Sequence, residues 1–289
     1  MKKLILFLCS VILSANIAFA AAESCFIAKE NSVVIKHEGD CNTRYSPCSS
    51  FKIALALMGY DASILKDEMH PQWPFKPEYE AYLESWKDPQ NPTSWMKNSC
   101  VWYSQVLTPQ LGMKKFQDYV KKFNYGNQDV SGDKGQDNGL TNAWLSSSLE
   151  ISPDEQTIFL ENFLSNKLPV SGHAQSMTKN IIYVEDLPHG WKLYGKTGSG
   201  FLLNKDRTKQ LEIKHGWFIG WIEKGNRKII FVNHIVDSKK EENHAGPRAK
   251  EQVKEKLLQL IEQIERSKVT LVDQKCTLAN TGPEKNVRF

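Results

Sequence analysis

The stretch PCSSFKIAL (residues 47–55) sets an alcohol, Ser49, three residues ahead of an amine, Lys52, and then runs on into apolar side chains. Positions i and i+3 share a helix face, so the two groups can meet. A hydroxyl beside an amine is the minimum for a nucleophile and its activator. Serine is nevertheless a poor nucleophile, and a protonated lysine is a poor base. The stretch makes chemical sense only if something alters one of the pair.

Outward from this point, SSFKIALALMGYD reads as a helix, with Ala54, Leu55, Leu57 and Met58 as its apolar surface. Upstream, CFIAKENSVVIKHEG reads as two short strands around a turn at Glu30-Asn31. Residues 62–110, rich in Pro, Trp and Tyr, read as loops with short helices. Thr108 as cap and Pro109 in a first turn open a helix striped by Phe116, Val120 and Phe123. Ser152, Pro153, Asp154 and Glu155 open another. After about residue 181, IIYVEDL, WKLYGKTGSGF, HGWFIGWIEK and RKIIFVNHIV are strand-like. A last amphipathic helix carries Val253, Leu257, Leu260, Ile261 and Ile264 inward. The economical fold is α/β: a mixed, mainly antiparallel central sheet flanked by helices, with a helical lobe inserted. Residues 21–60 and 181–268 form the sheet lobe, 61–180 the helical lobe, and 269–289 a tail expected to be poorly ordered.

Residues 1–20 stand apart. MKK is a basic start, LILFLCSVIL an apolar middle and AFA a small-residue site, the layout of a signal peptide cleaved near Ala20. The mature chain is expected in the periplasm or secreted, without stable membrane association. Losing Lys2 and Lys3 lowers the net charge from +4 to +2, which makes no case for nucleic acid. Cys25, Cys41, Cys48, Cys100 and Cys276 remain, an odd set with no zinc-ligand spacing. Several pairings among the first three are open, and a free Cys48 reads as a small buried filler. His173, His189, His215 and His234 have no Asp or Ser partner in a motif and read as structural. No metal is implied. Trp217 and Trp221 read as packing.

Three further motifs follow the first in order: Ser99-Cys100-Val101, Tyr125-Gly126-Asn127 and Lys196-Thr197-Gly198, the last in a strand where glycine lets a ligand approach the backbone. With Ser49-Ser50-Phe51-Lys52, this set resembles the class D, oxacillinase-type, serine β-lactamases, which carry Ser-x-x-Lys, Ser-x-Val, Tyr-Gly-Asn and Lys-Thr-Gly in that order. Trp144 in NAWLSSSLEIS, GWFIGW at 216–221 and Arg248 in GPRAK extend the resemblance over nearly all of the chain short of its tail. Ser50 departs from the usual threonine, and Cys100 fills the variable middle of Ser-x-Val.

The resemblance implies how the lysine is altered: Lys52 takes up CO₂ or bicarbonate and becomes N-carboxylated. No other cofactor is implied. An apolar pocket favours the neutral amine that this step needs. Val101 and Phe51 would keep that pocket dry, and the Trp144 indole would donate to the carboxylate formed. The implied cycle has Lys52 as base, Ser49 as nucleophile and Ser99 as proton relay. The Ser49 and Phe218 amides form the oxyanion hole. Lys196, Thr197, Gly198 and Arg248 receive the β-lactam, whose carboxylate the two cations bind. Two rivals remain: an exported penicillin-binding sensor or peptidase, and a non-catalytic binding protein with the same fold. Oligomeric state and substrate range are not written in these residues.

Overall fold

A computed structural model describes residues 24–280, with side chains through Ser267. The expected leader and residues 281–289 lie outside the described residues. The chain opens with β1 (Cys25–Glu30) and β2 (Val33–Gly39), which turn at Asn31-Ser32. A 3-10 turn, Cys48–Phe51, leads into α1 (Lys52–Asp61). Then come α2 (Pro92–Asn98), α3 (Val101–Leu111), α4 (Met113–Lys122), α5 (Gly139–Asn142), α6 (Pro153–Leu164) and α7 (Gly172–Ile181). The chain closes with β3 (Tyr183–Leu187), β4 (Trp191–Leu203), β5 (Gln210–Lys224), β6 (Arg227–Val236) and α8 (Ala245–Asn280).

One six-stranded sheet has the order β2-β1-β6-β5-β4-β3, and every pairing is antiparallel. Strands from both ends of the chain build it, as expected. Side chains alternate between its faces with period two. Ile27, Trp217, Ile219 and Val232 join the core shared with the helical lobe. Phe26, Ala28, Phe218 and Phe231 pack beneath α8 against Ala249, Val253, Leu257 and Ile261. Burial on both faces explains why β5 and β6 read as nearly unbroken apolar runs. The segment Lys52–Tyr60 of α1 is buried residue by residue, the mark of a helix enclosed by the core. Lys52 is carried inside with it.

Several local expectations change. Thr108 and Pro109 sit inside α3 and open no helix; the break falls at Gly112, whose φ is +73°. Thr108 Oγ1 donates within its own helix to Ser104 O at 3.0 Å and also to Leu140 O, so it caps nothing. Helix α7 arises where no strong periodicity announced it; the Ser171 side chain caps it by accepting from the Ala174 amide. Ser152 and Glu155 do form the capping box that starts α6. Cys25 and Cys41 are disulfide-bonded across 16 positions, and Cys48 and Cys100 are free and buried. The backbone of α8 stays helical to Asn280, past the start of the expected tail.

Candidate active site

The turn that carries Ser49 is tightly wound. Cys48 holds a left-handed φ of +49°, and the Ser50 amide and hydroxyl both donate to Pro47 O, at 3.1 and 2.7 Å. The next residue but one, Lys52, is fully buried, and its Nζ donates to Ser49 Oγ at 3.0 Å. Burial pulls the Lys52 amine down to about 8. The Cys48 and Cys100 thiols act weakly the other way.

A second serine–lysine pair faces the first. Asn91 caps α2, and the helix ends at Ser99 in the left-handed region with φ 57° and ψ 31°. Ser99 Oγ accepts from Lys196 Nζ at 2.9 Å, while that amine also donates to Thr197 O at 3.1 Å and Thr197 Oγ1 at 3.4 Å. Lys196 is buried as well; desolvation, then the charges of Lys52 and Lys250, lower its pKa well below the usual lysine range. A Cβ at Gly198 would lie 2.7 Å from Pro47 O, 3.0 Å from the Ser50 nitrogen and 3.4 Å from the Ser49 nitrogen. Only a glycine lets β4 press against the Ser49 turn and bring the two pairs together.

Around them, Trp144 is buried with its ring 5.8 Å from that of Phe51 and 6.1 Å from that of Phe116. Its indole Nε1 has no hydrogen-bond partner, an orphaned donor inside a dry core. Val101 opens α3 half-buried against the same core. Tyr125 OH accepts from Gln156; Asn127 donates to Ser148 O and accepts from the Asp129 and Glu150 amides, which ties this loop to the segment before α6. Arg248, in the first turn of α8, is held by both carboxylate oxygens of Asp237 at 2.8 and 2.7 Å. His215 and His234, far apart in the motif reading, form a buried pair joined at 3.1 Å.

Phe218 departs from the role the sequence suggested. It lies on β5 between Thr197 of β4 and Asn233 of β6. The Gly195 amide bonds to Ile182 O at 3.0 Å and the Phe201 amide to Ser146 Oγ at 2.9 Å, both away from β5. Strand alternation turns the Thr197 and Ser199 amides the same way. Thr197 and Phe218 are therefore a non-hydrogen-bonded pair, and the Phe218 amide points to β6, away from Ser49. The amide directly after Gly198, where β4 meets the Ser49 turn, is that of Ser199, and alternation turns it to the side away from β5. Period-two counting from Gly198 could have found it, had the open edge of β4 been known.

Among the described residues, no group of three His, Cys, Asp or Glu side chains could hold a metal ion, and no helix is long and apolar enough to cross a membrane.

The penicillin-binding protein transpeptidase domain family matches residues 28–259. The chain is 40% identical over 263 residues to β-lactamase OXA-9 of Klebsiella pneumoniae, covering 88% of this chain and 96% of that one. It is 40% identical over 227 residues to β-lactamase OXA-1 of Escherichia coli, covering 77% and 79%. The crystal structure of the class D β-lactamase OXA-427 superposes with a TM-score of 0.79 at 42% identity, over 83% of this chain and 99% of that one. Fold, paired serine–lysine contacts and relatives agree that the chain belongs to the penicillin-binding transpeptidase-domain family. Within that family it is a hydrolase of the class D, oxacillinase-type, β-lactamases.

Proposed function

We propose that the enzyme hydrolyses the cyclic amide of penicillin-type antibiotics through an acyl-enzyme on Ser49, with N-carboxylated Lys52 as general base, and so confers β-lactam resistance on a cell that exports it. One observation carries this reading: the Lys52 amine is sealed in a core and 3.0 Å from Ser49 Oγ. An amine pulled down to about 8 is neutral in roughly a tenth of molecules at pH 7. Its lone pair can then form the N–C bond to CO₂, and the displaced proton leaves to water. The unpartnered Trp144 N–H, in the same core, suits the anion so formed.

Carboxylated Lys52 takes the Ser49 proton, and Ser49 Oγ bonds to the lactam carbonyl carbon. The Ser49 and Ser199 amides hold the oxyanion. As the tetrahedral centre collapses, the C–N bond breaks and the proton that Lys52 took from Ser49 passes through Ser99, held by Lys196, to the departing nitrogen, which returns Lys52 to its anion. Lys52 then takes a proton from water, whose oxygen attacks the ester carbon, and hands it to Ser49 Oγ as the C–O bond breaks. Lys196 and Thr197 bind the substrate carboxylate. Arg248 offers the N–H groups that Asp237 leaves free.

The test is mass spectrometry and steady-state hydrolysis with a penicillin, with and without bicarbonate. The expected result is a Ser49 acyl adduct, a CO₂ increment on Lys52 and sustained turnover. A single stoichiometric burst without turnover assigns the chain to the sensor or peptidase reading. No adduct on Ser49 removes the nucleophile altogether.

A further inference from the structure

Beneath the nucleophile turn lies a second polar cluster that the catalytic cycle does not use. The Cys48 thiol, buried directly before Ser49, lies 3.9 Å from Ser46 Oγ, 4.0 Å from Ser146 Oγ and 3.9 Å from His215 Nε2. On its far side His215 Nδ1 meets His234 Nε2 at 3.1 Å, and His234 is packed between Tyr45 and Trp217 at ring distances of 4.2 and 4.1 Å. All three side chains are almost completely buried. Gly200 roofs the cluster: a Cβ there would lie 2.4 Å from Cys48 Sγ, 2.6 Å from Ser146 Oγ and 3.0 Å from His215 Nε2.

Burial keeps both imidazoles neutral, with His215 pulled down to about 4 and His234 lowered too. A neutral pair shares one proton across its contact. His234 Nδ1 is the buried ring nitrogen without a partner. A bare acceptor is cheaper to leave unpaired there than an N–H donor. The proton of His234 therefore sits on Nε2 and is donated to His215 Nδ1. His215 then carries its own proton on Nε2, aimed at the Cys48 sulfur. The thiol hydrogen is left for Ser46 or Ser146. Ser46 is itself tied to the Trp144 segment, donating to Trp144 O at 2.8 Å and accepting the Ser146 amide at 2.9 Å.

Cys48 also holds a backbone conformation that residues with a Cβ seldom adopt, and such a residue persists where its surroundings over-determine it. We propose that the Cys48–His215–His234 column is a positioning device for the nucleophile: it anchors the left-handed residue from below and so fixes where Ser49 presents its hydroxyl. This rests on Ser49 being the nucleophile, and Ser49→Ala checks that separately by abolishing acylation.

The decisive variant is Cys48→Gly. Glycine adopts the left-handed turn at no steric cost and deletes the anchor. The measurement is the acylation rate constant for a chromogenic cephalosporin by rapid mixing, beside the melting temperature, for Cys48→Gly, Cys48→Ser, His215→Gln and the Cys48→Gly/His215→Gln double variant. Positioning predicts that Cys48→Gly and His215→Gln each acylate about tenfold more slowly, since small misplacements of reacting groups are costly. Their effects should not add, because both break one contact. Cys48→Ser keeps a short polar side chain at the anchor, within reach of Ser46, Ser146 and His215 after a small shift, and should recover most of the rate. If Cys48→Gly folds and acylates at the wild-type rate, the thiol merely tolerates the turn and the proposal fails. It also fails if the effects add fully, or if serine gives no rescue. Should His215→Gln not fold, the glycine and serine variants alone decide.

Discussion

Two buried lysines stand side by side here, and their surroundings differ. Lys52 enters on a helix enclosed on every side, with the Ser49 hydroxyl as the hydrogen-bond acceptor of its amine. Lys196 enters on β4, where its amine finds the Ser99 hydroxyl, the Thr197 carbonyl and the Thr197 hydroxyl. Burial lowers both, Lys196 the further because the charges of Lys52 and Lys250 add to it, but Lys196 has three oxygen acceptors for a proton where Lys52 has one. In the proposed mechanism the contrast separates the lysine to be converted from the lysine to be kept. It also couples them. Lys52 as a cation repels the charge on Lys196. Carboxylated as proposed, Lys52 would be an anion, and the same proximity would then hold the proton on Lys196.

The sharpest way to break this comparison is to exchange the roles. Lys52→Ala should still acylate slowly but deacylate about 10³-fold more slowly, the range of a lost general base. Rapid steady-state hydrolysis by that variant would end the assignment. The next effect concerns stability. A lysine at about 8 in the fold and about 10.5 unfolded costs the unmodified protein about 3 kcal/mol. Between those values the unfolded chain binds more protons, so stability rises with pH; the cost is complete below 8 and gone above 10.5. Lys52→Met, inactive, should therefore gain stability in denaturant titrations at pH 7 without bicarbonate and lose that gain near pH 10.5. Equal gains at both pH values would show that the amine is not strained by burial.

Lys196→Ala sharpens the other half. Losing a charge-assisted donor of about 1.5–3 kcal/mol should cut kcat/KM about 30-fold through acylation, with deacylation changed far less. An equal loss in both steps would erase the distinction between the lysines. The smallest change is Trp144→Phe, which keeps an aromatic ring in the core and removes the orphaned N–H. The bicarbonate concentration that restores half activity should rise about tenfold, one hydrogen bond to a charged group. An unchanged bicarbonate response would mean that the indole donates to nothing in the working enzyme.

Much of this was legible because the chemistry sits in short contiguous motifs. Ser49 with Lys52, and Lys196 with Thr197 and Gly198, are local in sequence, and the helix and strand that carry them have plain periodicity. What escaped depends on contacts far apart in the chain. Whether the oxyanion donor is on β4 or β5 turns on which edge of β4 stays open, and that is decided by where β3 stops. His215 and His234 meet only through the register that sets Trp217 opposite His234. Thr108 and Pro109 carry good start signals, yet Leu140 O supplies a tertiary acceptor and the helix runs through them. The Cys25–Cys41 bond needed the hairpin geometry to single it out.

The sheet order has a temporal consequence. Cys25 on β1 lies opposite His234 on β6, and these strands are neighbours inside the sheet, β1 being second from its edge. The first strand made must wait for almost the whole chain to leave the ribosome before its inner edge is covered. Pairing between such distant segments is slow, and a nascent chain cannot close its core early. Late closure leaves the polypeptide threadable during synthesis, the state that a leader at residues 1–20 would need to hand it to an export channel.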